Sequence, residues 1–392
     1  MKNRTVAVCM GTRPEIIKMA PVVHHILKAG LQAHVIHTGQ HDSMAYPLYN
    51  FFGISPQTEI SLQRHTGDLT HLTAQLLDNL GKSLNKIKPT VLLVHGDTSS
   101  AFSGALAAFL ARIPVGHIEA GLRTGERYDP FPEEKNRELI ARLANWHFSP
   151  TSRAAENLKK EGIAEGSIFT VGNTIIDAVR FVSRHLSMSQ DGGMKYLPEE
   201  LSPLKNFDKN QNKLLLVTAH RRENWGTPIS NIAQAVSKLL RRHADILAVW
   251  PVHANRMVHQ TVAETFSAHL ADDTEARSRL VICDPLNYPA FIWLLQRAWL
   301  VLTDSGGVQE EASALDRPLL VLRGTTERPE LIESGGGLMV GTELQVIVSC
   351  VEQLYGDEVK YRAMSNSLNP FGDGTSAEKI VSHIANYLLP IS

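Results

Sequence analysis

Arg13, Lys18, Asp97, Glu119, His220, Ser305 and Glu311 share one kind of placement. Each stands at or just beyond the end of a short apolar run, where a buried strand gives way to a loop or a helix start. Cations so placed grip an anion, and carboxylates or an imidazole move protons. In "GTRPEIIK", Gly11 permits a tight turn and Pro14 suits a first helical turn. Arg13 and Lys18 therefore lie near a helix N-terminus, an anion site because its N–H groups lack partners. "VHGDT" places Asp97 after a strand, and "GHIE" places Glu119 there, where Glu makes a poor cap. "TAHRREN" sets His220 ahead of Arg221 and Arg222, a pattern that suits phosphate or a salt-bridged domain edge. In "LTDSGGVQEEA", Ser305, Gly306 and Gly307 bare the N–H groups of a helix start, a cradle for a diphosphate. Glu310 and Glu311 follow one turn later, and one such carboxylate can take the two hydroxyls of a ribose. Singly, each position also serves as a cap or a surface charge. Together, the mixture fits an anionic ligand gripped by cations, with carboxylates left for proton transfer.

The elements that must position these residues alternate along the chain. Apolar runs at 5–10, 33–38, 90–96, 114–119, 146–150 and 168–172 are separated by helical patterns, among them 69–80 and 99–111. The pattern restarts at 213–220 and continues at 246–252, 279–284, 299–305 and 318–323. Continuous apolar strands between helices predict parallel sheets covered on both faces. Two such sets predict an α/β chain of two doubly wound domains, with a ligand where the strand ends face each other across a cleft. The boundaries expected are 1–172 and 173–374, with a C-terminal helix at about 375–392 packing back on the first domain. Residues 187–213, rich in Pro, Gly, Asn and Lys, are expected to form a surface excursion.

A length of 392 residues agrees with two domains, and a formal net charge of −1 gives no overall pull towards nucleic acid or an anionic membrane. Cys9, Cys283 and Cys350 have no metal-ligand or disulfide spacing, so buried free thiols in a reducing cytoplasm are expected. The first apolar run is too short for a signal peptide, and no stretch approaches the roughly 18 apolar residues of a membrane span. No P-loop, no G-x-G-x-x-G after the first strand, no H-E-x-x-H, no D-x-D pair and no G-x-S-x-G elbow occurs. Neither a dinucleotide cofactor nor a metal is expected, and His24 and His25 are taken as structural or solvent-facing.

"GTRPEIIKMAP", "VHGDT", "GHIEAGLRTG", "PEEKNR", "VGNTIIDA", "TAHRREN", "LTDSGGVQEEA", "TTERPE" and "NPFGDG" occur in order from about residue 5 to the C-terminus. In combination they resemble the non-hydrolysing UDP-N-acetylglucosamine 2-epimerases of bacteria. That resemblance implies two Rossmann-like domains of the B-type glycosyltransferase and phosphorylase group. It also implies a homodimer that interconverts UDP-N-acetylglucosamine and UDP-N-acetylmannosamine without a redox cofactor, supplying surface polysaccharide synthesis. By the same resemblance, Asp97, Glu119 and Glu133 match the catalytic carboxylates and His220 a diphosphate-side histidine. Arg13 and Lys18 match nucleotide or diphosphate contacts, Lys18 with a catalytic part. Ser305, Gly306 and Gly307 match the phosphate loop, Glu311 the ribose ligand and Arg328 a further substrate contact. Leu286 and Phe291 lie where the family holds uracil. Many bacterial members are activated by substrate at a second site; Gln40 and His41 fit that region, and His65 stands where many relatives have Gln.

The implied route is anti elimination of UDP to 2-acetamidoglucal, then re-addition with a proton from the other face. Within "GHIEAGLRTGERYDPFPEEKNR" (116–137), Glu119 and Glu133 are the expected proton-handling pair, joined by the intervening turn. Arg123 is expected to orient them or to meet substrate. Glu126, Arg127 and Asp129 are assigned to a solvated loop, and Glu134, Lys135 and Arg137 to the surface of a helix start. The rival readings are a hydrolysing 2-epimerase, a retaining glycosyltransferase and a nucleotide-sugar sensor without turnover.

Overall fold

The computed structural model describes residues 4–40, 45–63, 68–206, 211–252 and 255–388. It divides into two compact units, Met1–Ala178 with Phe371–Ser392, and Val179–Pro370. The first division falls inside the helix Thr174–Met188, a little beyond residue 172, because that helix is continuous while its neighbours change.

The first unit holds β1 (Thr5–Met10), β2 (Gln32–His37), β3 (Thr58–Glu59), β4 (Val91–His95), β5 (Val115–Ile118), β6 (Trp146–Ser149) and β7 (Ile168–Thr170). Their order is β3-β2-β1-β4-β5-β6-β7, all parallel. Every residue of β1, β4 and β5 is buried, as covering helices on both faces require. The chain leaves β1 towards β2 on one side and returns to β4 on the other. The C-terminal ends of β1 and β4 therefore open a crevice at the topological switch point, where such sheets bind ligands.

The second unit repeats this plan with β8 (Lys213–Thr218), β9 (Ile246–Pro251), β10 (Leu280–Cys283), β11 (Ala298–Thr303), β12 (Leu319–Val321) and β13 (Gly337–Met339). The order is β10-β9-β8-β11-β12-β13, again parallel, so the switch point lies between β8 and β11. Trp250, Phe266, Leu239 and Leu302 are among the fully buried residues of its core.

The C-terminal helix Ser376–Leu388 packs on the helix Arg13–Lys28. Asp177 caps it, accepting from Ser376 N at 3.3 Å and Ala377 N at 3.0 Å, while Asn173 N donates to Phe371 O at 2.7 Å. "VGNTIIDA" and "NPFGDG" thus latch the chain's end to its first unit. The segment 187–213 is not a plain surface excursion. Leu201 and Leu204 are buried, and Trp293 Nε1 donates to Gly192 O at 3.0 Å. Its short 3₁₀ turns supply apolar cover that Pro, Gly and Lys content conceals. Cys9 and Cys283 are buried and Cys350 half-buried. Among the described residues, no helix is long and apolar enough to cross a membrane.

Candidate active site

In the first unit, the ends of β1, β4 and β5 bring one polar cluster together. Gly11 has no room for a side chain, since a Cβ there would meet Thr38 Oγ1 and Ser100 Oγ. The turn it permits carries Glu15, which is buried and accepts from Gly11 N at 2.9 Å, Thr12 N at 2.8 Å, Thr12 Oγ1 at 2.9 Å and Thr98 Oγ1 at 2.6 Å. Burial raises the Glu15 pKa and those four donors oppose the rise. The amides of Gly11 and Thr12, in the turn ahead of the helix Arg13–Lys28, are thus spent on the protein's own carboxylate.

Lys18, though buried, reaches across to Glu119, with which it forms an ion pair. Asn173 Nδ2 donates to the same Glu119 oxygen at 3.1 Å. Glu119 has a φ of +63°, a left-handed conformation that costs a non-glycine residue about 1–3 kcal/mol and concentrates at functional sites. Beside it, Gly96 carries the chain from β4 to Asp97; a Cβ on Gly96 would lie 3.8 Å from Glu119 Oε1. His117, buried in β5, holds this turn by a 2.7 Å bond between its Nε2 and Gly96 O.

Asp97 is gripped from the helix Glu133–Leu143. Arg137 Nη2 and Nε donate to Asp97 Oδ2 at 2.5 and 3.1 Å, and Asn136 Nδ2 donates to Asp97 O at 2.8 Å. Arg137 Nη1 also donates to Glu134 at 3.2 Å, and Glu134 accepts from Thr124 N at 3.1 Å and Gly125 N at 3.0 Å. Glu134 and Arg137 are 1% and 9% exposed, so the assignment of these charges to the surface is overturned. Lys135 is half-buried and paired with Glu138. Arg123 does not serve the carboxylates either. Its Nε and Nη2 clamp Glu161 at 2.6 and 2.8 Å. Glu126, Arg127 and Asp129 are exposed, the solvated loop expected of them.

Burial raises the Asp97 pKa; Arg137 opposes the rise and Glu119 adds to it. Burial likewise raises Glu133, with Asp97 contributing as a like charge. Asp97 thus lies near enough to each glutamate for their charges to interact. A carboxyl group whose pKa is raised keeps its proton to higher pH, which favours a part as a proton donor as well as an acceptor.

In the second unit, the ends of β8 and β11 are joined by Asp304, which has no exposed surface. Its Oδ2 accepts from His220 N, Arg221 N and Asn224 Nδ2, each at 2.9 Å. Its Oδ1 lies 3.3 Å from His220 Nδ1, an ion-pair approach rather than an aligned hydrogen bond. Asp304 therefore sets both the backbone and the ring of His220, whose side chain is 42% exposed. Sequence reasoning passed over it for Ser305. The available signal was that Ser305 already caps the helix Gly306–Ser313, which left Asp304 without a capping task.

Ser305 accepts from Val308 N at 3.5 Å. A Cβ would meet nothing within 4 Å at Gly307 and only Glu327 Oε2, at 3.9 Å, at Gly306. The protein's own packing does not require glycine at either position, and the helix start is left open to a close approach. Glu310 is buried against Arg328, whose Nε donates to it at 2.5 Å, while Glu311 is 8% exposed on the same helix. Leu286 is buried in the loop after β10, and Phe291 is half-buried on the helix Tyr288–Arg297. Gln40 accepts from Ser100 Oγ at 2.6 Å. His41 and His65 lie outside the described residues.

Three comparisons bear on this geometry. A family model described as UDP-N-acetylglucosamine 2-epimerase matches residues 25–385. The UDP-N-acetylglucosamine 2-epimerase of Escherichia coli K12 is 44% identical over 96% of this chain and 97% of its own. That of Bacillus subtilis 168 is 39% identical over 98% of this chain and 96% of its own. Among solved structures, the UDP-GlcNAc 2-epimerase of Neisseria meningitidis bound to UDP-GlcNAc superposes with a TM-score of 0.86 at 36% identity, covering 97% of this chain and all of that one.

Proposed function

The chain belongs to the UDP-N-acetylglucosamine 2-epimerase family, and on that premise we propose that it interconverts UDP-N-acetylglucosamine and UDP-N-acetylmannosamine without hydrolysis. One observation carries the reading. Asp97 and Glu119 follow neighbouring strands, and each has its own basic partner, Arg137 and Lys18 respectively. Inversion at C2 exchanges a proton on both faces of one carbon, which calls for two acid–base groups in separately tuned surroundings.

The C2 proton of a glycosyl diphosphate is not next to a carbonyl, so a carboxylate cannot remove it directly near neutral pH. Cleavage of the C1–oxygen bond comes first. UDP leaves with the bonding pair, and the oxocarbenium-like C1 acidifies the C2 proton. A carboxylate takes that proton and the C1–C2 double bond of 2-acetamidoglucal forms. A proton then returns to the opposite face of C2 while a UDP oxygen re-bonds C1. Hydrogen leaves and returns as a proton, so the step needs no redox cofactor.

Asp97, Glu119 and Glu133 are the acid–base groups. Arg13, Lys18, His220 and the helix start at Ser305, Gly306 and Gly307 stabilise charge on the departing diphosphate. Glu311 takes the ribose hydroxyls, Leu286 and Phe291 the uracil, and Arg328 braces Glu310 beside them. The working form is a homodimer, and its product feeds surface polysaccharide synthesis.

Incubation with UDP-N-acetylglucosamine alone, with products resolved by NMR, tests the proposal. UDP-N-acetylmannosamine is expected, with total nucleotide sugar conserved. Free N-acetylmannosamine with one UDP each would replace the proposal with hydrolysis. Unchanged substrate would favour a transferase or a sensor.

A further inference from the structure

Three nitrogens surround one oxygen of Glu119. Lys18 and Asn173 contact Oε2 directly, and His95 Nε2, at the end of β4, stands 3.7 Å away. His95 is 3% exposed, and its Nε2 has no hydrogen-bond partner among the described residues. A buried polar atom left so is costly and calls for an explanation.

An N–H at Nε2 would be drawn into a hydrogen bond with the carboxylate; the ring instead stands off at 3.7 Å, as it does when the proton of the neutral ring is on Nδ1 and Nε2 presents a lone pair. Burial keeps the ring neutral, pushing its pKa down to about 4 against the pull of Glu119 and with the push of Lys18. A lone pair repels a carboxylate but accepts a hydrogen bond from a carboxylic acid.

We propose that His95 is a positioning residue that accepts a hydrogen bond from Glu119 whenever Glu119 carries the C2 proton. Lys18 and Asn173 hold the ionised form, and His95 holds the acid. A side-chain rotation of Glu119 that shortens the 3.7 Å gap is the only movement required. The inference rests on Glu119 as a handler of the C2 proton. The other titratable groups facing this pair are Lys18 on its helix, Asp97 beyond Gly96 and His117 on β5. All remain unchanged in the test.

The test is the pH dependence of C2 deuterium exchange in His95→Phe and His95→Gln, with UDP affinity and Tm as controls. Loss of the acceptor favours ionised Glu119. In His95→Phe the pH limb belonging to Glu119 is therefore expected to move down by about half to one unit, the size of one hydrogen bond. Exchange should fall about five- to tenfold with UDP affinity kept. His95→Gln, which offers an acceptor oxygen, should stay nearer the unaltered protein.

If His95 merely filled space, Phe would dry the carboxyl further and move the limb up. A limb that stays or rises in folded His95→Phe overturns the proposal. Should that variant fail to fold, His95→Asn, too short to reach, is judged by the same criterion. Retained exchange in Glu119→Gln would overturn the role of Glu119 itself. Lost exchange there with an unmoved limb in His95→Phe would overturn His95 alone.

Discussion

Glu119→Gln is expected to bind UDP as the unaltered protein does and to lose C2 exchange and epimerisation by about 10²–10⁴-fold, the usual worth of one general acid–base group. The substitution keeps the length of the side chain and its place after β5. Gln tolerates the φ of +63° no worse than Glu, so the backbone change is small. What disappears is the capacity to exchange a proton, together with the ionic partner of buried Lys18. UDP affinity separates these effects from general damage, because most residues proposed for the nucleotide, among them His220, Ser305 and Glu311, belong to the other unit, and of the two in the first unit, Arg13 and Lys18, only Lys18 pairs with Glu119. Binding measured by calorimetry and exchange measured by NMR on the same sample check the prediction. Parallel loss of both would show that Glu119 holds the site together and does not handle the proton.

Arg137→Met should damage both activity and stability. The guanidinium serves two carboxylates, Asp97 at 2.5 Å and Glu134 at 3.2 Å, and its side chain is 11% exposed. Removing one member of a buried ionic group leaves its partners uncompensated and costs about 3–5 kcal/mol. Arg137→Lys should recover only part, because one ammonium cannot reproduce the planar fork.

The pH dependence has a definite sign. Burial already raises the Asp97 pKa in the folded state, and Arg137 is the main influence opposing that rise. Without Arg137 the folded-state value rises further above the unfolded one. Asp97 then destabilises the fold increasingly as pH climbs through its folded pKa, and less in mild acid where it is protonated. Denaturant unfolding should accordingly show a larger deficit near pH 8 than near pH 5. A deficit independent of pH would contradict this electrostatic role. Activity at neutral pH should fall about 100-fold or more, because Asp97 loses the cation that favours its ionised form and Glu134 loses its partner.

The strands were legible because parallel strands buried on both faces appear as unbroken apolar runs, such as "TVAVCM" and "KLLLVT". β3 and β13 escaped because they span two and three residues and carry no such run. Residues at strand ends were legible for the same topological reason. What sequence concealed was the burial of charge. Arg137 lies 40 residues from Asp97 in the chain, and nothing local to "PEEKNR" records that contact. A weaker signal existed. Glu134 and Arg137 sit seven and four residues before buried Ala141, which places them on the helix face that turns inward. Glu15 and Asp304 were hidden in the same way. Each is a carboxylate that spends its oxygens on loop N–H groups, and only coordinates reveal which amides converge on it.

The central claim is that carboxyl groups of the first unit exchange the C2 proton with solvent while UDP is eliminated and re-added. The most direct measurement is incubation of the unaltered protein with UDP-N-acetylglucosamine in D2O, read by NMR at C2. The account predicts UDP-N-acetylmannosamine carrying deuterium at C2. Epimerised product that retains its original C2 hydrogen would contradict it.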